Sequence, residues 1–321
     1  MRGHLLLLTL FCFNACLAHV PILATNNNDL MTAFTINEPL KSWAIYGELK
    51  ADEYEYYNFS LIEGDRLRLS LFSPQPNNNF SIALIIPGHP LNADLPLMIE
   101  LPVNHGSVLF NSEPTNLKEY EPFTPSSYYQ LINIDLIVNE SGTYYLTLYG
   151  EGKYGLAVGY KERFSLIEWL KIPLDVTLVH LWEGQGLLLI LLPLIIIINS
   201  GLIICYKCKH CFKGLLRLLS FIAALSYFGS SGVTLNQMII ALINTQANPL
   251  TPITLIFIII PSLLGYGVIR VINRRRIETP ERVKLIAYAG LGLFSWAGFI
   301  FGPLLLVIAS LLPEPKNKKR K

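Results

Sequence analysis

The 321-residue sequence has no cysteine between residues 19 and 204, so no disulfide can staple that stretch. A segment of about 150 residues can bury enough core to stand without one. Acid is nearly missing from the second half. Residues 186–321 hold 3 Asp/Glu against 15 Lys/Arg, whereas residues 19–185 hold 20 Asp/Glu against 9 Lys/Arg. Charge is scarce overall, at 15% of residues, and mean hydropathy is +0.42, which excludes a single soluble domain. A split in sign of this kind follows membrane topology and not nucleic-acid affinity. Walker, Rossmann and kinase signatures are absent. No ionisable residue falls in the middle of an apolar run, which argues against ion-coupled transport.

What is present is apolar sequence in long runs. Met1-Arg2-Gly3-His4, then Leu5 to Phe13, then Cys16-Leu17-Ala18 reads as a secretory signal over 1–18, cleaved after Ala18. Four transmembrane helices are expected within 187–312, at 187–206, 218–243, 253–271 and 285–312, each clearing the ~20 residues a bilayer demands. Arg270 to Lys284 carries six basic residues against two acidic ones, and Asn244 to Pro252 carries no charge, so the first and third loops are expected to be cytoplasmic. One conflict follows: four spans leave the basic tail, 313–321, on the outer side with five positive charges. A dilysine retrieval signal there would need a cytosolic tail. Residues 164–186, with Trp169 and Trp182, read as an interfacial linker at the outer headgroup level.

Between these lies a region of different pattern. Arg66-Leu67-Arg68-Leu69-Ser70-Leu71, Ile82-Ala83-Leu84-Ile85-Ile86, Ile132-Asn133-Ile134-Asp135-Leu136-Ile137 and Tyr144-Tyr145-Leu146-Thr147-Leu148-Tyr149 are short runs, broken at Pro74 to Asn79, Pro87-Gly88, Pro114 and Gly142. Period-two alternation with aromatic and β-branched residues predicts an all-β, antiparallel, jelly-roll-like sandwich over 19–163. The stretch Asp52 to Ser60, then Gly64-Asp65-Arg66 to Leu71, and the later Gly142 to Gly150, resemble a bacterial pre-peptidase C-terminal type β-sandwich. The order of signal, sandwich and helices is similar to that of uncharacterised archaeal membrane proteins. The resemblance implies a fold and an accessory or recognition role; it carries no catalytic motif to these positions.

Candidate chemistry is sparse. His19 would be the first mature residue after cleavage, and a terminal amine with an imidazole chelates copper; His89, His105 and His180 are the imidazoles that would complete such a site. Cys205, Cys208, His210 and Cys211 fall within seven residues and suit zinc, a modified thiol, or plain juxtamembrane residues. Asn58, Asn79 and Asn139 begin glycosylation sequons, consistent with export. Tyr54, Tyr56 and Tyr57 serve either sheet packing or an aromatic surface for a glycan or peptide. Asp52, Glu53, Glu55, Glu63 and Asp65 offer oxygen ligands for calcium but lack a wrapping loop, so a solvated face is preferred. Gly229-Ser230-Ser231-Gly232 matches the G-x-S-G of rhomboid proteases, yet no histidine lies in a later span to activate Ser231. These small residues, like Gly298-x-x-x-Gly302, are read as helix packing.

The expectation is a multi-pass protein of the cell membrane with its N-terminal domain outside, in contact with lipid and with a protein partner in or outside the membrane. Its expected role is non-enzymatic, with no cofactor and no nucleic acid. A copper-binding membrane protein and a channel or transporter component are the alternatives.

Overall fold

The computed structural model describes residues 19–22, 27–76, 79–89, 94–113, 115–207 and 214–314. The expected signal, the thiol-rich residues Cys208, His210 and Cys211, and 315–321 lie outside the described residues. The chain forms two compact units. The first comprises Met1–Glu119 and Ser127–Ser165, the second Tyr120–Ser126 and Leu166–Lys321.

The first unit contains two β-sheets. In one, the order is β1 (Val20–Ile22), β3 (Trp43–Leu49), β11 (Gly152–Val158), β5 (Arg66–Ser73), β9 (Ser126–Ile137) and β8 (Lys118–Glu121). In the other it is β2 (Phe34–Thr35), β4 (Tyr54–Leu61), β10 (Gly142–Tyr149), β6 (Ser81–Pro87) and β7 (His105–Asn111). Alternation does the work: in β5, Leu67, Leu69 and Leu71 are buried while Arg66, Arg68 and Ser70 turn away. Both sheets feed one core, since Ile45, Leu69 and Leu156 cluster with Phe59, Leu84 and Leu146. The expected purely antiparallel pairing fails at two places, because β1 runs parallel to β3 and β2 parallel to β4. Each is a short strand added at a sheet edge, where no tight hairpin dictates direction.

A bulge interrupts β5 and β9 between Leu71 and Phe72. The Gln130 amide stitches it, donating to Ser70 Oγ (2.8 Å), Ile132 O (2.9 Å) and Leu71 O (3.2 Å). Deeper in, the Tyr57 and Tyr154 hydroxyls both donate to the Glu55 carboxylate. Burial, followed by neighbouring charge, holds both phenols well above their ordinary range.

Among the described residues the second unit holds six helices: α1 (Leu166–Trp182), α2 (Leu187–Lys207), α3 (Leu215–Asn244), α4 (Thr251–Ile272), α5 (Thr279–Phe294) and α6 (Phe301–Leu311). Three of them, α2, α3 and α4, are long and apolar enough to cross a membrane. The 164–186 linker is mostly helix α1, with Pro173 inside it.

The expected single helix over 285–312 is corrected to two, α5 and α6, separated by Ser295 to Ile300. Trp296, Gly298 and Phe299 have positive φ there, of 54°, 64° and 56°, so the chain reverses instead of continuing. Small residues make the reversal tight. A Cβ on Gly292, Gly298 or Gly302 would fall 2.3–2.6 Å from atoms of the Tyr227 side chain, and Tyr227 itself is fully buried. The packing reading of Gly298 and Gly302 thus has a specific partner: the two glycines and Gly292 form the slot for one aromatic ring.

Residues Tyr120–Ser126 group with the helices although the surrounding strands do not, which the sequence reading did not anticipate. Tyr120 is buried, its hydroxyl 2.7 Å from Thr254 Oγ1, and Thr254 Oγ1 also lies 2.8 Å from Pro122 O. Asn248 Nδ2 donates to Tyr120 O at 3.1 Å.

Candidate docking surface

The strongest surface feature of the sheet unit lies between β6 and β7, in Asp94-Leu95-Pro96-Leu97-Met98-Ile99-Glu100-Leu101-Pro102-Val103-Asn104. This connection has more apolar residues than it needs to close on the sheet. Ile99, Leu95 and Leu101 pack on Ala83, Ile85, Tyr54 and Tyr149. Tyr56 Oη donates to Met98 O at 3.3 Å, and the Ile99 amide donates to Pro96 O at 3.0 Å. With those three turned inward, the others are forced outward: Leu97 is fully exposed, Val103 86% and Met98 72%. Asp94 and Glu100 on the same connection are exposed as well and carry negative charge. Pro96 and Pro102 restrict the backbone of this connection.

The aromatic-surface reading of Tyr54, Tyr56 and Tyr57 is replaced by this geometry. Tyr56 and Tyr57 are 2% and 0% exposed, one on each face of β4, because the 94–104 connection covers the outer face that would otherwise be free. Tyr54 stacks beside Tyr149 at 5.7 Å. Two of the acidic residues serve turns, with Glu53 Oε2 accepting from the Lys50 amide at 2.9 Å and Asp65 Oδ2 from the Ile62 amide at 2.9 Å, while Glu55 accepts from the Tyr57 and Tyr154 hydroxyls.

The metal candidates that fall within the described residues lie on separate elements. His19 precedes β1 at the edge of one sheet, its Nδ1 2.6 Å from Ser42 Oγ. Burial, with Arg68 as a lesser cause, pushes its imidazole down to about 4, so it is neutral at physiological pH. His105 opens β7 at the edge of the other sheet, with Nδ1 facing Val103 O (3.0 Å) and Nε2 facing Thr143 O (3.1 Å). His89 is half-buried just beyond β6. Cys205 is half-buried in the last turn of α2. No group of three or more His, Cys, Asp or Glu placed to hold a metal occurs among the described residues.

The sequons differ in setting. Asn58 is inside β4, half-buried, with Nδ2 donating to Ala33 O at 3.3 Å, whereas Asn79 and Asn139 are exposed outside the strands.

In the helical unit, Ser231 Oγ donates to Ile258 O (2.9 Å) and accepts from Ser262 Oγ (3.1 Å). No histidine is among these partners. Ser230 Oγ donates to Tyr227 O (2.9 Å) and accepts from the Gly298 amide (2.8 Å). Ser231 therefore ties α3 to α4, and Ser230 ties α3 to the 295–300 turn.

Two polar networks escaped the sequence reading. His180 Nδ1 lies 3.0 Å from Glu183 Oε2, which also accepts from Gln185, and Gln185 Oε1 accepts from Gln237 at 2.9 Å. In the other, Arg217 donates to Glu314 and to the carbonyls of Ile272 (2.6 Å), Arg274 (2.9 Å) and Arg275 (3.2 Å). The only available signal for the second was that Glu314 is one of just three acids after residue 186. No protein-family model matches the sequence, and no curated protein matches it.

Proposed function

We propose that the two sheets form a jelly-roll-like β-sandwich displayed outside the cell membrane, carried by a multi-pass helical module, and that it works as a non-enzymatic recognition or accessory subunit by docking a protein partner. The observation that carries this reading is the Leu97, Met98 and Val103 patch. Large apolar side chains exposed together on one restrained loop are the kind of surface that interaction sites use. The acidic residues Asp94 and Glu100 select against anionic lipid and favour a protein face with an apolar centre and a basic rim. The excess of acid in residues 19–185 and of base in 186–321 supports the exported orientation. So does the exposure of the Asn79 and Asn139 sequons.

A photo-cross-linking residue at Leu97 of the full chain, in its native membrane, tests the proposal. One discrete protein adduct is expected there and none from the equally exposed Glu63. Adducts to lipid only, or none at either position, would overturn the docking role. Leu97→Asp should abolish an adduct formed from Val103 while leaving the melting temperature unchanged.

A further inference from the structure

We infer that α5 and α6 form a re-entrant hairpin that enters the bilayer and returns to the face it left, so that three helices cross and the segment after Glu314 lies on the same side as the Arg274–Arg276 loop.

Length comes first. The apolar part of α5, Leu285 to Phe294, rises about 15 Å and α6 about 16 Å, each half of the roughly 30 Å hydrocarbon thickness. Depth agrees with length. The Gly298 amide bonds Ser230 Oγ, and the helical rise along α3 from Arg217 to Ser230 is about 20 Å. The reversal thus stops about 10 Å short of the far face.

Non-helical backbone survives at such depth only where protein satisfies it. Here the Ser295 amide donates to Leu291 O (3.0 Å), Ala297 to Gly292 O (2.8 Å), Gly298 to Ser230 Oγ (2.8 Å) and Phe299 to Trp296 O (3.1 Å). Ala297 is fully buried. Outward from this protected turn, Phe294, Phe301, Leu304 and Ile308 present exposed apolar side chains suited to acyl chains.

The hairpin's two ends are tied together. Glu314, just past α6, accepts from Arg217 at the start of α3 and from the Ile277 amide (2.8 Å) in the loop before α5. Arg282 in the first turn of α5 donates to Ser310 O at 2.6 Å near the end of α6. Arg217, residues 274–277 and Glu314 therefore share one level. This removes the charge conflict of a four-span reading, because the five positive charges beyond Glu314 join the six of residues 270–284 on a single face.

The test uses the full chain with its five cysteines replaced by serine and single cysteines at Gln246, Arg275, Phe301 and Lys318, probed in intact membranes with a charged, impermeant maleimide. Lys318→Cys should label from the same side as Arg275→Cys and opposite to Gln246→Cys. Phe301→Cys, although its position is 74% exposed, should label from neither side until detergent or denaturant is added. Lys318→Cys labelling with Gln246→Cys would overturn the inference, as would Phe301→Cys labelling from that side in intact membranes. A C-terminal reporter active on one side only gives the same comparison if a cysteine variant fails to accumulate. A further cysteine at Glu63 separates the proposals: labelling on the Arg275 side refutes the exported orientation and leaves the hairpin standing.

Discussion

Replacing Glu314 with Gln isolates the tie that closes the helical hairpin. The change keeps size and one acceptor oxygen but removes the charge facing Arg217, whose side chain is only 14% exposed against 21% for Glu314. A hydrogen bond to a charged group contributes about 1.5–3 kcal/mol, and partial solvent access places this one near the middle, at about 2 kcal/mol. That corresponds to roughly a 30-fold rise in local opening. Amide hydrogen exchange in lipid nanodiscs reads it directly, because the Ile277 amide donates to the same carboxylate. Protection at Ile277 and along Phe301–Leu311 should fall about 30-fold, while α3 and α4 stay protected. The control is Glu281→Gln, whose partner Lys284 is 3.9 Å away and half exposed; it should change nothing. Acid should reproduce the effect. Burial raises the Glu314 carboxyl, but hydrogen bonds from Arg217 and Ile277 and the nearby charges more than offset this and hold it below its ordinary range. A lowered carboxyl stabilises the folded state fully above its unfolded value of about 4.3 and ceases to do so as pH falls through the lower folded value. Protection should therefore be flat from pH 7 to 5 and drop only in stronger acid. Unchanged exchange in Glu314→Gln, or equal loss in Glu281→Gln, would refute the reasoning.

Gly298→Val should be the most damaging change in the helical unit, costing about 3 kcal/mol or more. It combines positive φ with a Cβ 2.5 Å from the Tyr227 ring, and thermal melting in detergent should show it. Gln130→Ala should cost about 1–2 kcal/mol in chemical denaturation, since it frees the bulge acceptors of Ser70, Leu71 and Ile132. In a glycosylating host, Asn79→Gln and Asn139→Gln should each remove one glycan from the electrophoretic mass. Asn58→Gln should leave that mass unchanged, because its amide is held in β4.

Some of this could be read from residues alone because local pattern and local structure coincide. Leu67, Leu69 and Leu71 alternate with Arg66, Arg68 and Ser70 and do face the core, and the runs at 187–206, 218–243 and 253–271 do become helices. The run at 285–312 misled, since hydropathy counts apolar residues without regard to φ. The break at Trp296 to Phe299 depends on Tyr227, about 70 residues earlier, filling the space that three glycines leave. The exposed apolar residues of the 94–104 connection were missed for a related reason. Asp94 to Asn104 lacks strand alternation, and only the burial of Ile99, Leu95 and Leu101 against β6 and β4 decides that Leu97, Met98 and Val103 face outward.

The sequence by itself determined what kind of solvent each half can tolerate. Burial free energy scales with apolar area, and charge resists leaving water, so composition and sign bias act residue by residue without a partner. Only the tertiary structure decided where chain direction reverses and which polar groups meet. A turn inside an apolar helix pair, a serine accepting from Gly298 and a carboxylate joining Arg217 to Ile277 each depend on atoms brought together from distant positions, and no local period encodes those distances.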